Sequence, residues 1–243
     1  MDFTSRKDLK ELVVYITGGT KGIGKGMAEV FLVYGMRVAI SGRSSDQAKK
    51  VAQELGPEDR VLGLGSDVSD LQQEEAAVQK ILDKWGRLDV VIANAGLGVF
   101  APVDQLDPKE WKAMMDTNLT GVFHSLKASV EALKSSEGYY FTIASLAGTN
   151  FFAKGAGYNA SKFGVVGFTQ AAMLDLRPYN IKVSTLMPGS VASEFNGNTP
   201  SEKDAWKIQP EDLGTLVLDL LRMPARTLPS KVEIRPSRPD LKS

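Results

Sequence analysis

Thr17-Gly18-Gly19-Thr20-Lys21-Gly22-Ile23-Gly24 stands between a short β-branched run, Leu12 to Thr17, and a longer helical pattern, Gly22 to Tyr34. A strand that turns through glycines straight into a helix lets the backbone approach a bound anion. The helix N-terminus then adds unsatisfied N–H donors and a partial positive charge. The spacing is not G-x-G-x-x-G, and no Gly-Lys-Ser/Thr is present to make a Walker A loop. Taken alone, the turn is equally what tight packing of a helix on a sheet requires, so its surroundings must decide.

Those surroundings keep one rhythm. Six further runs read as strands: Arg37 to Ser41, Arg60 to Gly65, Leu88 to Ala93, Tyr139 to Ala144, Ile181 to Met187 and Lys231 to Ile234. Stretches long enough for crossover helices separate them, which predicts an α/β, doubly wound fold with a parallel sheet of about seven strands flanked by helices on both faces. Val90 to Ala93 and Tyr139 to Ala144 are almost continuously apolar, as strands covered on both faces are. No repeat or linker interrupts the pattern before about residue 193, so 1–243 reads as a single domain. Residues 190–209 are polar, punctuated by Gly and Pro, and long for a connection, which predicts a substrate-binding loop. The proline-spaced tail from Arg235 is expected to lie on the surface or leave it.

Composition narrows the partners. The chain of 243 residues is 43% hydrophobic and 24% charged, with 29 Lys and Arg against 29 Asp and Glu. A net charge of zero disfavours nucleic acid and anionic membranes as partners. The absence of cysteine excludes disulfides, thiolate metal sites and thiol nucleophiles, and suits a reducing compartment. The one histidine, His124, argues against a metal cluster and is expected to be an ordinary helix residue. The charged N-terminus lacks the apolar stretch of a secretory signal, and no run reaches the roughly 18 apolar residues of a membrane span. A cytoplasmic location is therefore expected.

The second strand ends Ser41-Gly42-Arg43-Ser44. A carboxylate at this place suits an adenosine ribose, whereas a cation suits a 2′-phosphate. Arg43 offers a planar fork to phosphate oxygens, with Lys21 as a second cation and Ser44 as a hydroxyl donor, which predicts NADP(H) over NAD. Farther along, Asn118, Ser145, Tyr158 and Lys162 form a constellation suited to catalysis. Ser145 directly follows the fifth strand, where ligands of open parallel sheets sit. Tyr158 and Lys162, four residues apart, share a face near a helix start. An ammonium ~6 Å from a phenol at an effective dielectric of ~20 favours the phenolate by roughly 2 to 3 kcal/mol, about two pKa units. Such a tyrosine can pass a proton to a carbonyl oxygen that Ser145 holds by a hydrogen bond.

On these motifs the chain resembles the short-chain dehydrogenase/reductase family. The matches run in the family's order: the TGGTKGIG turn, Asp67-Val68, Ala93-Asn94-Ala95-Gly96, Asn118, Ser145, Tyr158 with Lys162, and Pro188-Gly189. They span residues 12 to 193. The resemblance implies a Rossmann-like domain that binds the cofactor through Gly18, Thr20, Lys21, Gly22, Ile23 and Gly24. It also implies Tyr158 as acid/base, Ser145 as the group orienting the substrate oxygen, and Lys162 as a second ligand of the nicotinamide ribose. Asn118 would hold a water linking Lys162 to solvent, Asp67 and Val68 would contact adenine, and Asn94, Ala95 and Gly96 would border the cofactor. Near Pro188 and Gly189, the Val191 backbone and the Ser193 hydroxyl would meet the nicotinamide carboxamide. Ala93 and Ser193 depart from the family's usual Asn and Thr. The chain ends SKVEIRPSRPDLKS, without the Gly-Gly ending common in bacterial 3-oxoacyl carrier-protein reductases.

The expected activity is hydride transfer between NADP(H) and a carbonyl or secondary alcohol. One alternative is a 3-oxoacyl thioester (acyl-carrier-protein) reductase, and another is a non-catalytic NADP-binding regulator, although a cofactor sensor does not require Ser145. Residues Leu97 to Phe100, Leu146 to Phe152, Phe195 and Trp206 are expected at the pocket mouth. They are mostly apolar, which favours an apolar carbonyl compound. Phe151 and Phe152 read equally well as pocket wall or packing wedge. The stripe Val122, Phe123, Leu126, Val130, Leu133 and the helix from Tyr158 to Leu176 carry more apolar surface than one sheet covers. A homodimer or homotetramer is therefore expected.

Overall fold

The computed structural model describes residues 8–238. Its strands are β1 (Val13–Ile16), β2 (Arg37–Gly42), β3 (Val61–Gly65), β4 (Val90–Ala93), β5 (Tyr139–Ile143), β6 (Lys182–Pro188) and β7 (Lys231–Ile234). They form one sheet in the order β3-β2-β1-β4-β5-β6-β7. Every neighbouring pair is parallel. The helices are α1 (Gly22–Val33), α2 (Ser45–Leu55), α3 (Leu71–Trp85), α4 (Pro108–Met115), α5 (Gly121–Ser136), α6 (Ala156–Leu176) and α7 (Pro210–Leu221). The Rossmann-like arrangement expected from the strand rhythm is present.

Alternation along each strand divides the core into two layers. Val14, Ile16, Ile40, Ile92 and Phe141 pack with Met27 and Phe31 of α1 and Leu213 and Val217 of α7. Val13, Tyr15, Val91 and Tyr140 pack with Ile81 of α3, Val122 and Leu133 of α5 and Val165 of α6. Because both faces are covered, both sets of side chains must be apolar, which is why the strands show no alternating polarity in the sequence.

Most helix starts carry local signals. Asp70 caps α3 by accepting from the N–H groups of Gln72 and Gln73, and Asp107 followed by Pro108 starts α4. Pro210 and the reciprocal Gln209–Asp212 cap start α7;. Between α4 and α5 the backbone makes one π-turn, Asp116–Thr120. The 190–209 segment is tied at its base by a parallel bridge between Val191 and Ile208. It also contains two short 3₁₀ turns, Phe195–Gly197 and Glu202–Asp204. The first residues of the charged N-terminus and the last five of the tail lie outside the described residues. Among the described residues no helix is long and apolar enough to cross a membrane.

β1 pairs with β2 on one side and β4 on the other, so chain direction across the sheet reverses there. The crevice beyond the carboxyl ends of β1 and β4 is where such a sheet receives ligands.

Candidate active site

The glycine turn lies at one end of this crevice. Gly18 and Gly22 have φ of 63° and 53°, the left-handed region that side chains disfavour. Any side chain at Gly18 would also collide with the backbone of Ala95, 2.9 Å from where its Cβ would stand. α1 lacks a capping signal: its N-cap Lys21 is extended, no side chain caps the helix, and no acid lies in its first turn. Its N-terminal N–H groups therefore keep their positive end for a ligand.

Asn94 secures this turn. Its Nδ2 donates to the carbonyls of Thr17 (2.9 Å) and Gly18 (3.0 Å). The Thr17 hydroxyl in return accepts from the N–H groups of Asn94 (3.0 Å) and Ala95 (3.1 Å). Thr17 was not among the residues expected from sequence; its contribution arises only when β1 and β4 lie side by side.

Thr20 packs against the end of β2, its methyl 2.9 Å from where a Gly42 Cβ would stand. Arg43, the next residue, is exposed. Ser44 serves as the N-cap of α2, its Oγ accepting from the Gln47 N–H at 3.3 Å, so its hydroxyl hydrogen stays available to an anion. Across the sheet, Asp67 is held by its own turn, accepting from the N–H and hydroxyl of Ser69 at 3.0 and 2.7 Å. Val68 is buried, and its carbonyl accepts from His124 Nδ1 at 2.9 Å. That contact fixes the proton on Nδ1 and gives the lone histidine a structural partner.

Under the end of β3, Glu74 is fully buried. Its Oε1 accepts from Tyr15 (2.9 Å) and Ser66 (2.6 Å), while Oε2 has no partner. Burial pushes its pKa up, with Ser66, Tyr15 and His124 opposing the rise and Asp67 adding to it.

The reacting end is made of buried side chains. Tyr158 stands in the first turn of α6 and Lys162 one turn later, only 9% and 5% exposed. Lys162 Nζ donates to the Ile143 carbonyl at 2.8 Å and lies 5.7 Å from the centre of the Tyr158 ring. Ser145 is extended, its Oγ accepting from Ala147 N at 3.1 Å and donating weakly to Pro188 O at 3.5 Å. The same serine lies close enough to the Tyr158 hydroxyl to oppose the rise in its pKa.

Asn118 sits in the π-turn, 1% exposed. Its Nδ2 donates to Leu97 O (2.8 Å) and Ser161 Oγ (2.9 Å), and its Oδ1 accepts from Leu97 N (2.8 Å). Gly96 closes the group: a Cβ there would stand 3.3 Å from Asn118 Oδ1 and 3.6 Å from Lys162 Nζ. Ser161 and Asn159 were missed from sequence. Asn159 Nδ2 ties down the carbonyls of Ala147 and Asn150 at 2.7 and 2.8 Å. Both lie inside Tyr-Asn-Ala-Ser-Lys, and that position was the available signal.

Electrostatics correct one expectation. The phenol is not acidified by its lysine neighbour: burial pushes Tyr158 up to about 12, with nearby Ser145 opposing the rise. Burial also pushes Lys162 down to about 8. The sequence shows that the two groups are neighbours but not that both lose water, and here desolvation outweighs their attraction. At neutral pH Tyr158 therefore holds its proton, as a donor should.

The last expected ligands line the crevice from the β6 side. Gly189 N donates to Ile234 O at 2.8 Å, fixing Pro188-Gly189 against β7. The bridge uses Ser190 O and Ala192 N with Ile208, so Val191's own N–H and C=O stay outside that pairing. Ser193 Cβ lies 3.4 Å from where a Gly22 Cβ would stand, beside the glycine turn. Phe100 and Phe195 pack on the Tyr158 ring. Trp206, by contrast, meets Lys207 and makes no ring contact with the phenol, and Phe151 is 85% exposed. The donor set fits a dinucleotide: an uncapped helix end and left-handed glycines for the phosphates, an exposed arginine beside them, and polar side chains at the far end.

The sequence profile described as short chain dehydrogenase matches residues 12–204. Trans-4-hydroxycyclohexanecarboxylate dehydrogenase of Sinomonas cyclohexanicum is 33% identical over 224 residues, 86% of this chain and 85% of that one. An alcohol dehydrogenase from Thermococcus sibiricus complexed with 5-hydroxy-NADP superposes with a TM-score of 0.87 at 30% identity, covering 95% of this chain and 100% of the other. A 3-ketoacyl-(acyl-carrier-protein) reductase from Brucella melitensis complexed with NADH gives 0.85 at 27%, covering 95% and 99%.

Proposed function

The chain belongs to the short-chain dehydrogenase family, an oxidoreductase of CH–OH and C=O groups, and from that premise we propose an NADP(H)-dependent enzyme acting on an apolar carbonyl compound or secondary alcohol. The observation that carries this reading is Ser145 beside the Tyr158 phenol, with buried Lys162 Nζ 5.7 Å from the ring centre, at the mouth of the crevice. The choice of NADP(H) over NAD(H) rests on Arg43 and Lys21, both exposed near the glycine turn where an acid would suit a free ribose;. The substrate loop is assigned to 190–209, within one domain spanning 1–243.

When bound, NADPH supplies a hydride, one hydrogen with two electrons, to the carbonyl carbon. The oxygen then needs a proton. Tyr158 Oη, protonated at neutral pH, gives its hydrogen to that oxygen, and the C=O π-pair becomes the new O–H bond. The Ser145 hydroxyl hydrogen-bonds the same oxygen and stabilises its developing charge. Lys162, brought down to about 8, exchanges protons closer to ambient pH than an ordinary lysine. The Asn118 amide spends both of its hydrogens on Leu97 O and Ser161 Oγ, so a relay water at Asn118 would have to donate to one of its oxygens.

A reducing cytoplasm suits a chain without cysteine. Exposed Trp111, Phe123, Phe163 and Leu174 on α4, α5 and α6 support a homo-oligomer joined through these helices. The decisive assay follows the loss of NADPH absorbance with ketones, aldehydes and a 3-oxoacyl thioester. Turnover abolished in Tyr158→Phe with NADPH binding retained is the expected result. Binding of NADPH without turnover of any carbonyl would assign the chain to cofactor sensing instead.

A further inference from the structure

Three phenyl rings gather at the Tyr158 phenol. Phe100 meets it edge-on, with centroids 5.5 Å apart and planes at 74°. Phe195 approaches at 5.7 Å and 52°, and Phe152 leans on Phe100 at 5.8 Å and 57°. They come from three separate connections, those following β4, β5 and β6, so no helical periodicity forces them together. Phe100 and Phe152 remain 39% and 48% exposed. Apolar surface left open beside a reactive group is what a ligand covers.

The rest of the wall is shaped to match. Met114 and Ala147 are buried beside the phenol, with Leu97, Val99 and Leu106 packed around them. The Val99 N–H points at Met114 Sδ at 3.4 Å. Gly98 backs two of the rings: a Cβ there would stand 2.7 Å from Phe195 Cζ and 3.2 Å from Phe100 Cζ. A side chain at Gly98 would push those rings apart. Residues 97–100, 146–153 and 190–198 contain one charged side chain between them, Glu194. Its Oε2 lies 3.3 Å from where a Gly22 Cβ would stand. These walls thus offer an anionic substrate no counter-ion, while Lys162 is already bonded to Ile143.

We propose that Phe100, Phe152 and Phe195 form a subsite for a flat aromatic ring attached to the reacting carbon, so that the substrates are neutral aryl ketones and the corresponding benzylic alcohols. Aromatic pairs favour edge and offset contacts at 4.5–7 Å, which three fixed rings offer to a fourth and an alkyl chain cannot exploit. The proposal rests on Tyr158 being the proton donor of a carbonyl reductase, and its test separates the two.

The test compares kcat/KM with NADPH for phenyl methyl ketone, cyclohexyl methyl ketone, 2-octanone and 4-acetylbenzoate. Phenyl methyl ketone is expected to exceed its cyclohexyl counterpart about tenfold and 4-acetylbenzoate about a hundredfold, increments typical of ring pairing and of an unpaired charge. In Phe195→Leu, and in Phe100→Leu as an independent variant, the phenyl-to-cyclohexyl ratio is expected to fall to within about threefold. NADPH binding, read by its fluorescence, reports that each variant is folded. Equal turnover of phenyl and cyclohexyl ketones, or a ratio unmoved in both variants, overturns the aryl subsite while leaving the reductase standing. Absence of turnover with every ketone despite NADPH binding overturns the reductase reading and this proposal with it.

Discussion

At the glycine turn the ligand-facing groups are main-chain N–H donors and the solvated cations Lys21 and Arg43, whereas at the far end of the same crevice they are buried side chains, Tyr158, Lys162 and Asn118. The turn takes its shape from left-handed glycines and the Asn94–Thr17 exchange. The reacting end takes its chemistry from desolvation, which moves Tyr158 to about 12 and Lys162 to about 8. Recognition is thus assigned to geometry and exposed charge, and proton transfer to burial. Substitutions at the two ends should fail in different ways.

The largest expected effect is at the buried end. Lys162→Met should lower kcat by about a hundredfold to a thousandfold and yet raise Tm at pH 7. The folded protein holds this lysine at about 8 against an ordinary 10.5. Its charged form is therefore favoured on unfolding, and the wild type is penalised below the folded value. The penalty fades as pH rises through 8 to 10.5. A stabilisation of roughly 1–3 kcal/mol at pH 7, shrinking towards pH 10.5 in denaturation curves, is the signature; a gain independent of pH would refute burial as the cause.

Next comes the exposed end. Arg43→Asp should cut kcat/KM for NADPH relative to NADH by about 10- to 100-fold, the worth of one or two charge-assisted hydrogen bonds, with Tm almost unmoved because Arg43 is solvated. An unchanged NADPH preference would remove Arg43 from the 2′-phosphate site. Asn94→Ala strikes the shape of the turn rather than its charge. It should raise KM for NADPH several-fold, leave kcat within about twofold, and cost about 1–3 kcal/mol in stability from two carbonyls losing a donor. A fall in kcat at constant KM would instead place Asn94 in the reacting machinery.

The smallest effect is expected at Glu74, under the end of β3. Its folded pKa is raised by burial, so the wild type loses stability as pH climbs from the ordinary carboxylate value through the folded one, whereas Glu74→Gln has no such loss. The Tm difference between variant and wild type should widen from pH 4 to pH 8. A flat difference would show that the buried carboxyl does not titrate in that window.

Much of this was legible in the chain because it is written locally. The strand runs from Leu12 to Thr17 and Leu88 to Ala93 fall on β1 and β4 within two residues, since both faces of each strand are buried. Asn118, Ser145, Tyr158 and Lys162 converge because each follows a strand or opens a helix at the sheet's carboxyl edge. Tertiary consequences were not legible. Tyr158 reads as acidified when only its charged neighbour is counted, and as the opposite once lost water is included. Ser44 reads as a phosphate donor but also caps α2. The Thr17 exchange, the orphan oxygen of Glu74 and the three rings from separate connections all depend on residues far apart in the chain.

The π-turn at Asp116–Thr120 has a consequence for phase. One wide turn inserts a single residue into an otherwise regular spiral, so side chains before it are rotated by about 100° relative to those after it. In a regular helix the twelve residues from Met114 to Leu126 would turn them about 120° apart, and the inserted residue brings that back to about 20°, so both stay on the buried side of the helical path;. Deleting one residue here would restore an unbroken ladder and draw Asn118 out of the wide turn that aims its amide at Leu97 and Ser161. The length of this segment, as much as its composition, is therefore under structural constraint.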